Sequence, residues 1–320
     1  MYSTHAIASV LSIPALLATF ADTLGWTADT SSPDQPIISA PFTGSVPWRV
    51  RASEAGTSKD VVVEAVNTPS VTSSLFARAP IINGAALNPT AVSFIGGLTP
   101  EPYIAIVVKY GADYYRHLYI GYVEKIGDWT GGEVISGTQG PIAATVATHS
   151  YIPEAGGVRY LGNARQTVSA ANVSGGVRLA HADSSTNFRS FRAPTNSTAL
   201  TGFTQDNVIG GFGDAINDGY LARGRSPFAG VQPLVPINLY APIPIIGDTS
   251  FRPIGHMSGV RLVNMADIAE GAVIEIGGES WRCYPALRRS LATTMPPGTG
   301  NWRQYETSYM VGYAYRDEAA

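Results

Sequence analysis

The feature that most constrains the fold is a dense aromatic run at residues 114–132, YYRHLYIGYVEKIGDWTGG. Its tyrosines combine flat apolar faces with hydroxyl tips, which suits a pleated strand that is half buried and half exposed to water. A continuous apolar run of strand length precedes it at 103–108, and residues 111–113 between the two runs have the composition of a short turn. The pattern predicts a β-hairpin over 102–126, which ends at a Gly-Asp turn.

The composition favours a folded chain that is rich in turns. Glycine contributes 34 and proline 22 of the 320 residues, while 45% of the residues are hydrophobic and 14% are charged. This hydrophobic content can offset the entropy that is lost on folding, and the excess of glycine and proline supplies turns between strands. We therefore predict a mainly β chain with one or more antiparallel β-sandwich-like domains, one N-terminal α-helix and long loops.

Charge and cysteine content exclude several classes of function. The net charge of −3 provides no broad basic field, so nucleic acid is not expected as the main ligand. A single cysteine, Cys283, excludes an intrachain disulfide and a cysteine-based metal cluster. Its place in a strand-like run indicates a core thiol. We predict no cofactor.

The N-terminal residues 6–21 are mostly apolar, but they lack the basic segment of a secretory signal and are interrupted by Pro14. An amphipathic helix fits them better, because apolar side chains recur at helical spacing, at Ile13, Leu17, Phe20 and Leu24. Ser12 is the predicted N-cap, Gly25 the predicted end, and Trp26 is expected to pack beside the helix. The sequence contains no run of about 20 apolar residues, so it does not predict a membrane span.

Further hairpins are predicted near both ends of the chain. Residues 46–50 and 60–66 have the composition of strands and flank a turn at 54–59. Paired glycines tolerate the positive φ that a two-residue turn requires, so Gly277-Gly278 predicts a second hairpin. The predicted strands of the C-terminal region are 260–264, 273–276, 279–284 and 309–315.

The sequence leaves the number of domains open. Residues 68–102 and 137–232 are rich in small and polar residues, which predicts long irregular segments or functional loops. Residues 233–244 contain four prolines, a pattern that argues against a central strand and indicates a linker or an edge segment. If there are two domains, they are 1–232, a helix plus a β-rich domain with long loops, and 233–320, a C-terminal β-hairpin region. A single large domain is the alternative.

Candidate catalytic groups occur, but they form no recognised motif. His181, Asp183 and Ser185 have the residue types of a hydrolytic triad, although neighbours in sequence rarely form one. The acidic residues around the aromatic run are candidates for paired glycosidase carboxylates: Glu101, Glu124, Asp128 and Glu133. No histidine pair has the spacing of a metal motif, and the position of His117 inside the aromatic run indicates a hydrogen-bonded structural role. We predict neither a catalytic nor a metal site.

Several segments together resemble virion structural proteins of tailed bacteriophages. They are Gly25-Trp26 after the N-terminal helix, YRHLYIGYVEKIGDWTGG at 115–132, GHMSGVRLVNMADIAEGAVIEIGGESWRCYPALRR at 255–289 and GYAY at 312–315. The resemblance covers the helix, the aromatic run and the C-terminal region, and it leaves most of 140–232 unmatched. These motifs are structural and include no catalytic signature.

The resemblance implies a non-enzymatic component of the virion, assembled in the bacterial host cytoplasm as a multimeric ring or collar in the tail, neck or baseplate. Its expected partners are copies of itself and neighbouring virion proteins. A receptor- or glycan-binding virion module, a capsid decoration protein and a particle-borne hydrolase are the alternative hypotheses. Large aromatic side chains are the predicted contact residues: Phe20, Trp26, Tyr115, Tyr119, Trp129 and Trp281.

Overall fold

The computed structural model describes residues 1–55, 58–66, 77–79, 88–111, 114–129, 131–137, 176–181, 188–192, 207–209, 234–242, 251–265, 267–285 and 311–318. A 3-10 turn at Val10–Ser12 leads into the helix α1 at Ile13–Thr23. The strands are β1 (Tyr2–Ala6), β2 (Thr27–Asp29), β3 (Ile37–Ser39), β4 (Trp48–Ala55), β5 (Ser58–Ala65), β6 (Ala77–Ala79), β7 (Pro89–Gly97), β8 (Tyr103–Tyr110), β9 (Tyr114–Lys125), β10 (Gly131–Gly137), β11 (Gly176–His181), β12 (Phe188–Arg192), β13 (Asn207–Ile209), β14 (Val235–Pro242), β15 (Phe251–Asn264), β16 (Val273–Ile276), β17 (Glu279–Pro285) and β18 (Val311–Arg316). The predicted mainly β chain with an N-terminal helix is confirmed.

The strands form two sheets. The larger has thirteen strands in the order β1-β7-β8-β9-β10-β11-β12-β13-β14-β15-β18-β17-β16, and the smaller has the order β2-β3-β4-β5-β6. Neighbouring strands are antiparallel except for β12 and β13. Strand β9 also pairs with β15, so the large sheet folds back on itself. The half that contains β7, β8 and β9 therefore faces the half that contains β15, β18 and β17, as in a sandwich.

Strand β8 is buried on both faces. Its alternate residues Ile104, Ile106 and Val108 belong to a first apolar core, which they share with α1 and the small sheet. The residues between them, Tyr103, Ala105 and Val107, belong to a second core between the two halves of the large sheet. Because both faces need apolar side chains, residues 103–108 form a continuous apolar run instead of an alternating one.

Strand β9 is buried in the same way, and this corrects the expectation that the aromatic run is half exposed to water. Tyr115 and Tyr119 are 1% and 0% exposed and lie in the second core. Leu118 and Ile120 point to the first core. The outer face of β9 is not open to water, because α1 and the small sheet form a third layer over the central strands.

Helix α1 lies where the apolar spacing predicts it, but its N-terminal capping differs from the prediction. The Ser12 side chain makes no capping hydrogen bond. The Ser9 hydroxyl instead accepts the N–H of Leu11 at 3.0 Å, because the chain begins to coil one 3-10 turn earlier. The helix ends before Gly25, whose φ of 90° is left-handed.

The predicted hairpins are confirmed. Strand β8 pairs with β9, β4 with β5, and β16 with β17 through the turn at Gly277 and Gly278.

The expectation that 68–102 is irregular is wrong for its last part, because β7 pairs with both β1 and β8. A glycine there has a packing role: a Cβ on Gly96 would lie 2.6 Å from the Leu24 Cδ2 atom and 2.9 Å from the Tyr103 carbonyl oxygen.

The proline-rich stretch at 233–244 is also corrected. It forms β14, which has a hydrogen-bonded neighbour on each side, β13 and β15, and is therefore neither a linker nor an edge. The pairing with β15 shifts register between Pro236 and Asn238 and again between Leu239 and Tyr240. Such irregularities accommodate residues that lack a backbone N–H. Strands from 1–232 and from 233–320 thus pair in one sheet and share the second core.

Strand β15 can cross the central strands closely because of Gly259. This residue has a φ of 60°, and a Cβ there would lie 2.0 Å from the Tyr103 Cε1 atom. On its other side Tyr103 is confined by Gly121, where a Cβ would lie 2.7 Å from the Tyr103 Cβ atom. Gly259 therefore lies directly against the tyrosine ring, and Gly121 lies against the base of the same side chain.

We predict that Gly259→Ala lowers the free energy of unfolding by about 3 kcal/mol or more, because left-handed strain of about 1–2 kcal/mol adds to overpacking of about 1–3 kcal/mol. Gly277→Ala is the matched control, since Gly277 has a φ of 63° but nothing within 4 Å of the added Cβ. Gly277→Ala should lower the free energy of unfolding only by the left-handed strain. Urea unfolding of both variants measures the difference, and equal losses would contradict the close approach of β15 to Tyr103.

Candidate functional site

The most developed polar arrangement lies between the two halves of the large sheet and centres on His117 of β9. Its Nε2 atom is 2.9 Å from the carbonyl oxygen of Pro285, and its Nδ1 atom is 2.8 Å from the Tyr315 hydroxyl. Because a carbonyl only accepts, Nε2 carries the proton and Nδ1 accepts the hydrogen bond from Tyr315. Burial lowers the pKa of His117 to about 3, against the opposing effect of the Pro285 hydrogen bond. The imidazole is therefore a neutral link between β9 and the opposite half.

Two tyrosines make further links across the same core. The Tyr119 hydroxyl donates to the carbonyl oxygen of Ser258 at 2.7 Å, and the Tyr103 hydroxyl donates to the carbonyl oxygen of Arg316. Burial raises the pKa of both hydroxyls well above the usual value, so they act as neutral donors. We call His117, Tyr103, Tyr119 and Tyr315 the interlayer hydrogen-bond set.

A charged corner lies where β9 meets β15. Glu124 and His256 are directly opposed in the pairing of the two strands, and the Glu124 Oε2 atom lies 2.8 Å from the His256 Nε2 atom. Burial alone would raise the pKa of Glu124, but the hydrogen bond and charge of His256 and the charge of Arg261 hold it below its usual value. Burial raises the pKa of Glu101 at the same corner, and Glu124 adds to that rise while Lys125 opposes it.

The structure brings together only part of the candidate carboxylate set. The pKa of Glu101 is raised by burial and by the charge of Glu124, while the pKa of Glu124 is lowered, and opposite shifts of this kind are what an acid and base pair requires. The Glu124 carboxylate is engaged by His256 through its Oε2 atom, however. Asp128 lies exposed in the turn after β9, and Glu133 lies on β10. Of the predicted triad, His181 lies on β11, and Asp183 and Ser185 lie outside the described residues.

The turn between β9 and β10 carries Trp129, the one predicted contact residue that keeps partial exposure. Its indole N–H donates to the carbonyl oxygen of Ile254 at 2.9 Å, and the Lys125 Nζ atom lies 5.0 Å from the ring centroid. Ile126 beside it is 51% exposed. A sugar ring that stacked on the face under Lys125 would have to displace the ammonium group.

The other predicted contact residues lie inside the chain. They are Phe20, Trp26, Tyr115, Tyr119 and Trp281, which are between 0% and 4% exposed. A side chain that is already covered by its own chain offers no area to a partner, so the structure assigns these five to the cores. The continuous apolar run at 103–108 could have predicted this burial. Such a run indicates a sheet that is covered on both faces, and such a sheet leaves no outer face for aromatic contacts.

Sequence reasoning missed the role of the charged residues after β18. Arg282 of β17 makes an ion pair with Asp317 at 2.6 Å, and its guanidinium lies 3.7 Å from the centroid of the Tyr2 ring. The Glu318 carboxylate accepts a hydrogen bond from the Thr99 hydroxyl at 2.7 Å. These contacts join β17 and the end of the chain to β1 and to the turn after β7. Their charge pattern alone gave no indication of partners so distant in sequence.

Within the described part of the chain, no group of three or more histidine, cysteine or acidic side chains is arranged to hold a metal ion. Burial raises the pKa of the Cys283 thiol to about 12, which makes it an unreactive core residue. Among the same residues, no helix has the length and apolar character that crossing a membrane requires.

Comparison of the chain with models of known protein families and with curated proteins gives no match.

We predict that His117 makes the protein less stable in mild acid. Its folded pKa of about 3 lies below the usual histidine pKa of 6.5, so between these two pH values the unfolded chain binds a proton that the folded chain does not. The stabilisation is complete above about pH 6.5 and is lost as the pH falls towards 3, by about 2 kcal/mol between pH 7 and pH 5.

The control is His117→Gln, whose amide can donate to Pro285 and accept from Tyr315 but does not titrate. Urea unfolding across this pH range should give a weaker pH dependence for the variant than for the original chain, whatever their absolute stabilities. The same pH dependence in both proteins would contradict the assignment of a buried neutral imidazole.

Proposed function

We propose that this chain is a non-enzymatic structural component of a tailed-phage virion, which assembles as a multimeric ring or collar in the tail, neck or baseplate. The proposal rests on the segments that resemble virion structural proteins and on what those segments build. Residues 115–132 form most of β9, the turn after it and the start of β10, while 255–289 include most of β15 and all of β16 and β17. The segment at 312–315 lies within β18.

One observation carries the non-enzymatic part of the proposal. His117, the histidine of the aromatic run, is buried and hydrogen-bonded across the sandwich through both ring nitrogens. A neutral imidazole with both nitrogens engaged cannot reach a substrate or accept its proton. The matching segments therefore supply a rigid scaffold, which is what a subunit of a large particle requires.

The described surface supports the assembly part of the proposal. It carries separate exposed apolar side chains at Leu11, Phe42, Leu98, Ile126 and Val273. Only 14% of the residues are charged, so contacts between copies would desolvate few charges. Both ends of the large sheet, β1 and β16, are edges without a further neighbour among the described strands. Open edges and scattered apolar side chains are features that contacts between subunits cover.

The proposal predicts that the purified chain self-associates and that antibodies raised against it label phage particles. Sedimentation velocity and negative-stain electron microscopy should show closed multimers, and immunogold labelling should place the protein at one position on the particle. Pre-immune antibodies provide the control for labelling. A monodisperse monomer together with unlabelled particles would rule the proposal out.

A further inference from the structure

We propose that β16 is a contact between two copies of this chain, in which the β16 strands of the copies pair antiparallel about a twofold axis. The inference rests on the self-association in the proposed function and adds a specific contact to it. It is drawn from the outward backbone groups of β16, which pair with no described strand, from its side chains and from the self-complementarity of its sequence, Val273-Ile-Glu-Ile276.

The backbone of β16 offers hydrogen-bonding groups on its outer side. Its two-residue turn with β17 is closed by the opposed residues Ile276 and Glu279, which in such a hairpin form a hydrogen-bonded pair. Two residues back along the strand, Ile274 faces Trp281 in the same way. The Cys283 N–H donates to the carbonyl oxygen of Ala272 at 2.8 Å, which fits this alternation. The N–H and C=O groups of the intervening residues, Val273 and Glu275, therefore point away from β17.

The side chains leave this edge unusually open for a natural sheet. Val273 is 40% exposed, and among the exposed large apolar side chains of the described residues it is the one that lies on an edge strand. Sheet edges are commonly protected by a charged side chain. The charged side chain of β16 is Glu275. Its Oε1 atom accepts a hydrogen bond from the Ser280 hydroxyl at 2.6 Å, so the carboxylate is turned towards β17 and does not protect the edge.

The opposite end of the sheet is less suited to pairing. Strand β1 exposes Thr4 and Ala6, and none of its residues is a large exposed apolar side chain. The Tyr2 ring at its start is covered by the Arg282 guanidinium. The edge at β16 is therefore the better candidate of the two.

A second copy of β16 fits the edge in one register. If the twofold axis passes between the two Ile274 residues, Val273 of each copy lies opposite Glu275 of the other, and the outward backbone groups of both residues find partners. Ile274, which packs at the margin of an apolar cluster around Trp281 and Cys283, then meets its own equivalent. The two Glu275 carboxylates are not opposed. The register therefore opposes apolar side chains at residue 274 and places no two like charges directly opposite each other.

The contact is isologous, so it joins copies in pairs. A ring requires a second and different contact, and pairing through β16 would then link two rings or two neighbouring subunits. Because β16 is only four residues long, the contact by itself is small and its formation should depend on concentration.

Cysteine crosslinking tests the register directly. Directly opposed residues outside the hydrogen-bonded pairs have Cα atoms roughly 4.5 Å apart, a separation that a disulfide spans. Ile274→Cys should therefore form a disulfide-linked dimer under mild oxidation. Glu275→Cys is the matched control, because the two copies of residue 275 lie more than about 7 Å apart in this register and should not crosslink. The native Cys283 is fully buried and gives no background.

A second variant separates strand pairing from chance collision. Glu275→Pro removes an N–H that points outward and leaves the backbone hydrogen bonds to β17 intact, at the loss of the exposed side-chain bond to Ser280, so the fold should survive. Introduced together with Ile274→Cys, it should abolish the crosslink, and circular dichroism should show an unchanged fold.

The outcomes distinguish this inference from the proposed function. A crosslink through residue 274 that Glu275→Pro abolishes supports pairing through β16. Multimers of the original chain without a crosslink at 274, or with an equal crosslink at 275, overturn the β16 contact and leave assembly standing. A chain that neither self-associates nor crosslinks overturns both.

Discussion

Strands β8 and β9 lie between two apolar cores, so almost every side chain on them is removed from water on one face or the other. Such a position tolerates polar groups only when they are hydrogen-bonded, since leaving one unpaired costs about 1–3 kcal/mol. The interlayer hydrogen-bond set meets this demand at His117, Tyr119 and Tyr103, whose partners on the opposite half of the sheet include Pro285, Ser258 and Arg316. Burial of the central strands thereby also fixes how the two halves sit against each other.

This arrangement determines which parts of the molecule can contact partners. Five of the six predicted aromatic contact residues are buried in the cores, and the close passage of Gly259 over Tyr103 leaves no room for a ligand at that point. Among the described residues, those that face outward include the turn after β9, the two ends of the large sheet and scattered apolar side chains. A chain built in this way is suited to assembly through edges and turns, and this is the physical basis on which we propose a structural role.

Sequence patterns predicted well those elements that depend on neighbouring residues alone. The helix follows from the spacing of Ile13, Leu17 and Phe20, and the hairpin at Gly277-Gly278 follows from turn chemistry. Strands β7 and β14 were not predicted, because glycines and prolines usually indicate loops. In the structure Gly96 permits close packing of β7, and register shifts accommodate the prolines of β14.

The partners of individual side chains could not be predicted from local sequence at all. His117 bonds to residues 168 and 198 positions away along the chain, and nothing in its neighbourhood indicates either of them. The same holds for the contact of Arg282 with Tyr2. The aromatic residues were recognised as important, but their burial depends on a third layer that only the folded chain reveals.

Hydrogen exchange of the backbone amides tests the central claim most directly. If β8 and β9 are covered on both faces, their amides exchange only when the whole chain unfolds, and their protection equals the global free energy of unfolding. The short strands β2 and β3 at the margin of the small sheet should exchange much faster through local opening. Amides of β8 and β9 that exchange as fast as those of β2 and β3 would contradict the three-layer arrangement.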